Sequence, residues 1–272
     1  MTTSGPQIAR TDPAGSKAPP RNPVIIGGLG GSGTRVVAQF LQLHGYHIGE
    51  NLNSACDSMD FEPLFKPHIP RVLKATKSAN FAYEDLPSDV TRGLAGDFEK
   101  CLNLFTTRPG YSYGQPTGWK NPRSLYLWPA YDAFLDTPRF ILTIRDGRDM
   151  TLSRNTRQFR KYSDLVLGRR WFWSRTRKML EFWARINSET VDWCKSVLPD
   201  RFLVVRYEDA CTDPDRELER IGRFVGSDRH CLTQDIVRPT VNIGRYKDSD
   251  AARIDSANIR AALARFGYTD RQ

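Results

Sequence analysis

The sequence predicts an α/β fold: a central parallel sheet covered by helices on both faces, three layers in all, with a helical cap inserted. Three observations predict it. Pro23-Val24-Ile25-Ile26-Gly27, Arg139-Phe140-Ile141-Leu142-Thr143-Ile144 and Phe202-Leu203-Val204-Val205 are short, near-continuous apolar runs rather than alternating ones, as expected of strands buried on both faces. Stretches of helical periodicity separate them. The chain has 272 residues, 39 % of them hydrophobic, and no internal repeat, which suits one large domain.

Residues 1–22 are Thr, Ser, Gly, Pro and scattered charges with little to bury, and they read as a mobile tail ahead of a single domain over 23–272. After the first strand comes a Gly-rich loop, Gly28 to Gly33, and then a helix over 34–43 with Val36, Val37, Phe40 and Leu41 on one face. Residues 50–118 hold several prolines, a polar stretch at Ser88-Asp89 and the turn-rich Pro109-Gly110-Tyr111-Ser112-Tyr113-Gly114, so helices and loops of a variable cap are expected there. The 139–144 strand leads through Arg145-Asp146-Gly147 into a helix through Met150 and Leu152 that carries Ser153. A long helix follows over 171–198, with Phe172, Met179, Trp183, Ile186, Trp193 and Val197 on one stripe. Further helices are expected over 215–225 and 255–265, the last ended by Gly267.

Forty Lys and Arg against 31 Asp and Glu give a net charge of +9, which favours anionic partners. The five cysteines, at 56, 101, 194, 211 and 231, are odd in number and widely spaced. That argues against a zinc module or a disulfide framework and for a reduced, cytoplasmic setting. No run approaches the ~18 apolar residues of a membrane span, and residues 1–22 lack a signal peptide's apolar core. His44 and His47, three apart, read as a helix-surface pair rather than a metal site, since no third ligand is apparent.

A strand, a Gly-rich turn and a helix together bind phosphate, because backbone N–H groups can approach the anion and the helix N-terminus adds positive charge. Gly28-x-Gly30-x-x-Gly33 matches the dinucleotide pattern, but the region 45–51 is a poor second strand for the required acid. Read as a nucleoside-triphosphate loop, it has Thr34 where Lys belongs and Arg35 where Ser or Thr belongs, which disfavours a kinase. A third chemistry fits Ser32-Gly33-Thr34: a loop that holds a 5′-phosphosulfate without metal. Arg145 at the second strand's end, with Ser153 eight residues on, fits a second anion clamp, and the sequence equally allows Arg145 and Arg148 to pair with Asp146 and Asp149 at the surface.

At this point the chain resembles the sulfotransferases that use 3′-phosphoadenosine 5′-phosphosulfate (PAPS), in order and spacing from about residue 23 to 268. Ser32-Gly33-Thr34 resembles their 5′-phosphosulfate loop, and Arg145 with Ser153 their 3′-phosphate motif. Val205-Arg206-Tyr207-Glu208-Asp209 resembles their third strand, whose Tyr lies beside the nucleotide. Asn242-Ile243-Gly244-Arg245-Tyr246-Lys247 resembles the late basic loop that closes over it. The resemblance implies a P-loop-like fold, PAPS as donor and no metal. It implies that Gly30, Gly31, Ser32, Gly33, Thr34, Arg35, Arg145, Ser153, Tyr207, Arg245 and Lys247 bind the donor. Many members have Lys or Arg just before Ser-Gly-Thr; this chain has Gly31, and Arg35 is the substitute cation nearest in sequence.

Sulfuryl transfer needs a cation near the transferring group and a base for the acceptor. Lys120, in Gly118-Trp119-Lys120-Asn121-Pro122-Arg123, resembles the catalytic Lys-x-Pro lysine of the protein-tyrosine branch. Glu50, a few residues past the first helix, stands at about the distance where similar sulfotransferases carry their catalytic Glu, with Asp57, Asp60 and Glu62 as rivals. The segment 154–178 carries nine Lys and Arg, one acid and five aromatics. Such a segment suits nucleic acid, an anionic membrane surface or a cleft for a sugar or anionic acceptor. Its place just after Ser153 favours the cleft. The expected acceptor is a small metabolite, a glycan or a glycolipid, and not nucleic acid.

Overall fold

The computed structural model describes residues 18–229 and 243–269, so residues 1–17 of the expected tail, Cys231 and Asn242 lie outside the described residues. Four parallel strands, β1 (Val24–Gly28), β2 (Gly118–Lys120), β3 (Arg139–Ile144) and β4 (Phe202–Arg206), form one sheet in the order β2-β1-β3-β4. The helices are α1 (Thr34–Leu43), α2 (Glu62–Thr76), α3 (Ser88–Thr106), α4 (Trp128–Phe134), α5 (Gly147–Met150), α6 (Arg157–Leu167), α7 (Arg175–Val197), α8 (Tyr207–Thr212), α9 (Pro214–Val225) and α10 (Ala257–Arg265).

Alternation along the strands builds the three layers. Val24, Ile26, Ile141 and Val205 face a core shared with Val37, Phe40 and Leu41 of α1 and Leu218 and Ile221 of α9. Ile25, Phe140, Leu142 and Ile144 face the opposite, larger core with α2, α3, α4, α6 and α7. A parallel sheet with both faces buried needs apolar residues at consecutive positions, which is why its strands show in the sequence as unbroken apolar runs.

The cap helices are continuous with this larger core. Phe61 stacks on Trp119 of β2 with ring centroids 4.5 Å apart, and Phe98 and Phe105 pack beside it. β2 itself is absent from the strands expected from sequence. It has three residues, Gly118-Trp119-Lys120, too few for periodicity to register, and its pairing with β1 defines it.

Other boundaries also differ from expectation. The long helix starts at Arg175 rather than 171, where the Ser174 hydroxyl caps the Arg177 N–H. Phe172 of the expected stripe is exposed before it, and Val197 is 45 % exposed at its end, while Trp183, Ile186 and Trp193 are buried. The last helix starts at Ala257, capped by Ser256 on the Ile259 N–H. The described end of the tail is seated on the fold: Ala18 O accepts the Tyr111 hydroxyl at 2.9 Å, and Pro20 is buried.

Candidate active site

Residues of the candidate site stand at the C-terminal end of every strand. β1 runs into the Gly-rich loop, β2 ends in Lys120, β3 is followed by Arg145 and β4 by Tyr207. Register sets these ends side by side, with Ile26 opposite Lys120, Gly28 opposite Thr143 and Ile144 opposite Arg206. The chain goes from β1 to β2 on one side and then to β3 on the other, and open α/β sheets form a binding crevice at such a reversal.

Gly31 (φ +99°) and Gly33 (φ +90°) hold left-handed conformations that favour glycine. Both also lie close to other parts of the site. A Cβ on Gly33 would fall 2.2 Å from the Tyr207 ring, and one on Gly31 would fall 2.8 Å from Ser153 Oγ. The loop, Ser153 and Tyr207 thus share one cradle, which α1 enters with its N-terminus at Thr34. The Ser32 hydroxyl is buried with no hydrogen-bond partner among the described residues, and an oxyanion in the loop would satisfy it. Ser153 is not on a helix, as expected from sequence, but in the turn after α5, its N–H bonded to Met150 O at 3.0 Å.

Arg145, largely buried, has its guanidinium carbon 5.0 Å from the centre of the Tyr207 ring and a nitrogen 4.0 Å from Asp149. Its carbonyl accepts the Trp183 indole N–H at 2.9 Å, tying the strand end to α7. Glu208 braces the same turn: one carboxylate oxygen accepts the Asp146 N–H at 2.9 Å and the other the Tyr268 hydroxyl at 2.8 Å. Burial pushes the Glu208 and Asp146 carboxyls above their ordinary pKa values. Arg148 is bound up in structure, paired with Asp146 at 2.8 Å and lying 3.7 Å over the Tyr246 ring.

Asp149 receives the N–H groups of Gly244 at 2.7 Å and Tyr246 at 2.9 Å. It thereby pins the late loop beside Arg145, with Arg245 and Lys247 exposed on either side of buried Tyr246. Sequence reasoning missed Asp149, Glu208 and Tyr268 in these supporting positions, since their partners lie 60 to 97 residues away.

Lys120 is 1 % exposed, and its ammonium group lies 2.5 Å from Asp57 Oδ1 and also donates to Ala55 O. The 51–58 loop is held there by the Ser58 N–H on Lys120 O at 2.7 Å. Burial lowers the Lys120 pKa, Asp57 opposes that effect, and the Arg35 charge adds to it. The other candidate acids face elsewhere. Glu50 is exposed and accepts the Gly110 N–H at 2.8 Å. Asp60 is buried against Arg108 at 2.7 Å, and Glu62 pairs with Arg123.

The two histidines are not a helix-surface pair. His44 is buried at the end of α1, donating from Nε2 to Leu218 O at 2.9 Å, and His47 bridges Thr117 beside β2. Among the described residues no group of three or more His, Cys, Asp and Glu side chains comes together to hold a metal ion, and no helix is long and apolar enough to cross a membrane.

A Gly-rich loop between strand and helix, at the reversal of a parallel sheet, is an arrangement suited to phosphate-bearing ligands. The sulfotransferase family model matches residues 23–230, and the chain belongs to that family. Among solved structures, the sulfotransferase domain of the Synechococcus PCC 7002 olefin synthase is 15 % identical, with 96 % of this chain and 100 % of that one covered and a TM-score of 0.48. A sulfotransferase from Alicyclobacillus acidocaldarius is 14 % identical, with 92 % of each chain covered and a TM-score of 0.45. Mouse sulfotransferase SULT7A1 complexed with PAP is 10 % identical, with 90 % and 82 % covered and a TM-score of 0.38. No curated protein matches the chain.

Proposed function

We propose that this sulfotransferase transfers a sulfuryl group from PAPS to a hydroxyl or amine of a carbohydrate, glycolipid or small-metabolite acceptor, in line and without metal. The observation that carries the reading is the row of strand ends. It aligns a cation (Lys120), a phosphate loop (Gly30 to Arg35), an arginine clamp (Arg145) and an aromatic wall (Tyr207) along one edge. PAPS, when bound, supplies an activated sulfuryl group on a phosphate leaving group.

In this reading Ser32, Thr34 and the loop amides hold the 5′-phosphosulfate, and the orphaned Ser32 hydroxyl donates to it. Arg145 and Ser153 hold the 3′-phosphate, Tyr207 flanks the nucleotide, and Arg245 and Lys247 cover it from the loop that Asp149 anchors. Buried Lys120 and the exposed Arg35, whose charge acts on it, stabilise charge developing on the sulfuryl and leaving oxygens, the buried cation acting more strongly. Of the four candidate acids, Asp57 is the one in contact with Lys120, and we assign it the acceptor's proton in place of Glu50.

Calorimetric titration with 3′,5′-adenosine bisphosphate, the desulfated product, tests the donor. Micromolar binding in the presence of a chelator, with ATP–magnesium and NAD much weaker, is expected. Absence of bisphosphate binding with tight ATP or NAD binding overturns the reading.

A further inference from the structure

The two most exposed large apolar side chains among the described residues are neighbours. Trp171 is 90 % exposed and Phe172 62 %. They form the tip of the loop between α6 and α7, their rings edge to face with centroids 5.7 Å apart. Trp173 turns inward onto the larger core, and the guanidinium groups of Arg170 and Arg177 lie 5.4 and 4.9 Å from its ring. The tip is therefore splinted at its base. Arg169, Arg170 and Arg175 are exposed around it. No acid occurs between positions 164 and 181, and Asp164 is itself paired with Lys178.

Adjacent exposed aromatics mark a surface that something covers, and Trp and Phe ringed by arginine suit the boundary between lipid headgroups and acyl chains. We propose that the loop 168–174 docks the protein on an anionic lipid bilayer, with Trp171 and Phe172 entering the headgroup boundary. Arg169, Arg170 and Arg175 then meet lipid phosphates. A nucleic acid fits less well. Its backbone would run from the tip into the adjoining groove of about 540 Å³, whose wall mixes Glu181 and Glu189 with Arg170, Arg185 and Arg265, Arg185 being paired with Glu189, and so lacks the unbroken basic track such a backbone needs. A planar surface meets the tip alone.

The docked end also lies toward the late basic loop. Tyr246 packs with Leu180 of α7, six residues and so about 9 Å of helix axis from Ser174. The docking stands on the exposed tip itself and does not depend on the donor or acceptor proposed above.

The experiment is co-sedimentation with vesicles of phosphatidylcholine alone and of phosphatidylcholine mixed with phosphatidylglycerol. It uses the wild type, Trp171→Ser/Phe172→Ser and Arg169→Glu/Arg175→Glu, with thermal melting as the fold control. Wild-type affinity is expected to be at least about tenfold higher for the anionic vesicles and to fall with salt, and each double variant to lose about tenfold. Brominated lipids are expected to quench wild-type tryptophan emission, a reading that needs no variant. No anionic-vesicle binding, equal binding by the aromatic variant, absence of quenching, or binding of single-stranded DNA but not vesicles overturns the proposal.

Discussion

Lys120 and Asp57 form a close ion pair at the end of β2, 2.5 Å apart, with the lysine almost wholly enclosed. A buried charge that loses its partner is strongly destabilising. Asp57→Asn is therefore expected to lower stability by about 3 kcal/mol, and Lys120→Met/Asp57→Asn to recover part of that loss, both read by urea denaturation. Lys120→Met alone is expected to reduce kcat by about 10²–10³ with little change in bisphosphate affinity. An unchanged kcat removes Lys120 from the chemistry.

Glu50 and Asp57 are separated by turnover. Glu50→Gln weakens one hydrogen bond to the 110 turn and is expected to leave kcat within a factor of about three, a loss of the order of one such bond at most. Asp57→Asn is expected to lower kcat by about 10²–10⁴, the usual contribution of a general base. The reverse pattern in steady-state rates assigns the base to Glu50.

Arg145→Ala is expected to weaken adenosine bisphosphate binding by about 1.5–3 kcal/mol, the scale of a charge-assisted hydrogen bond. Arg148→Ala acts differently. It leaves Asp146 buried without its partner and is expected to lower the melting temperature before it touches affinity. Calorimetry and melting curves on the two variants distinguish clamp from scaffold.

Gly33→Ala meets two obstacles at once, a left-handed backbone and the Tyr207 ring 2.2 Å from the new Cβ. Backbone strain of this kind costs about 1–2 kcal/mol before the clash is counted. Loss of bisphosphate binding is expected in titration. Adding Tyr207→Ala makes room but leaves the strain, so recovery is expected to be partial at most.

Glu208 carries a pH signature. Its pKa is raised above 4.5 because burial disfavours the carboxylate, so the folded state holds the proton more tightly than the unfolded chain. The stabilisation this brings is fully present below pH 4.5 and is lost as pH rises through the folded value. Glu208→Gln keeps the neutral form at every pH. Its stability relative to wild type is expected to improve from acid to neutral pH in denaturant titrations. A difference that is flat with pH contradicts the raised pKa.

Much of the framework was readable directly from the chain. β1, β3 and β4 appear as unbroken apolar runs because both of their faces are buried. The Gly-rich loop, Arg145, Ser153 and Tyr207 follow strand ends, so local order alone marked them as neighbours of the sheet's edge. What escaped was short or non-local. β2 exists only through its pairing with β1. Ser153 leaves the helix because α5 stops after four residues. Phe172 fits a core stripe by spacing, yet with Trp171 it falls before the Ser174 cap and is exposed.

The sequence by itself determined the α/β class and the strand–Gly-rich loop–helix unit with the polar residues that follow the strand ends. These depend on burial pattern and spacing within a few residues. The tertiary structure decided which distant groups meet. Strand register set Gly28 against Thr143 and so brought the loop to Arg145, and the 51–58 loop along β2 set Asp57 rather than Glu50 on Lys120. Such pairings join segments tens to more than a hundred residues apart, and they are settled by packing the whole core, which no local pattern encodes.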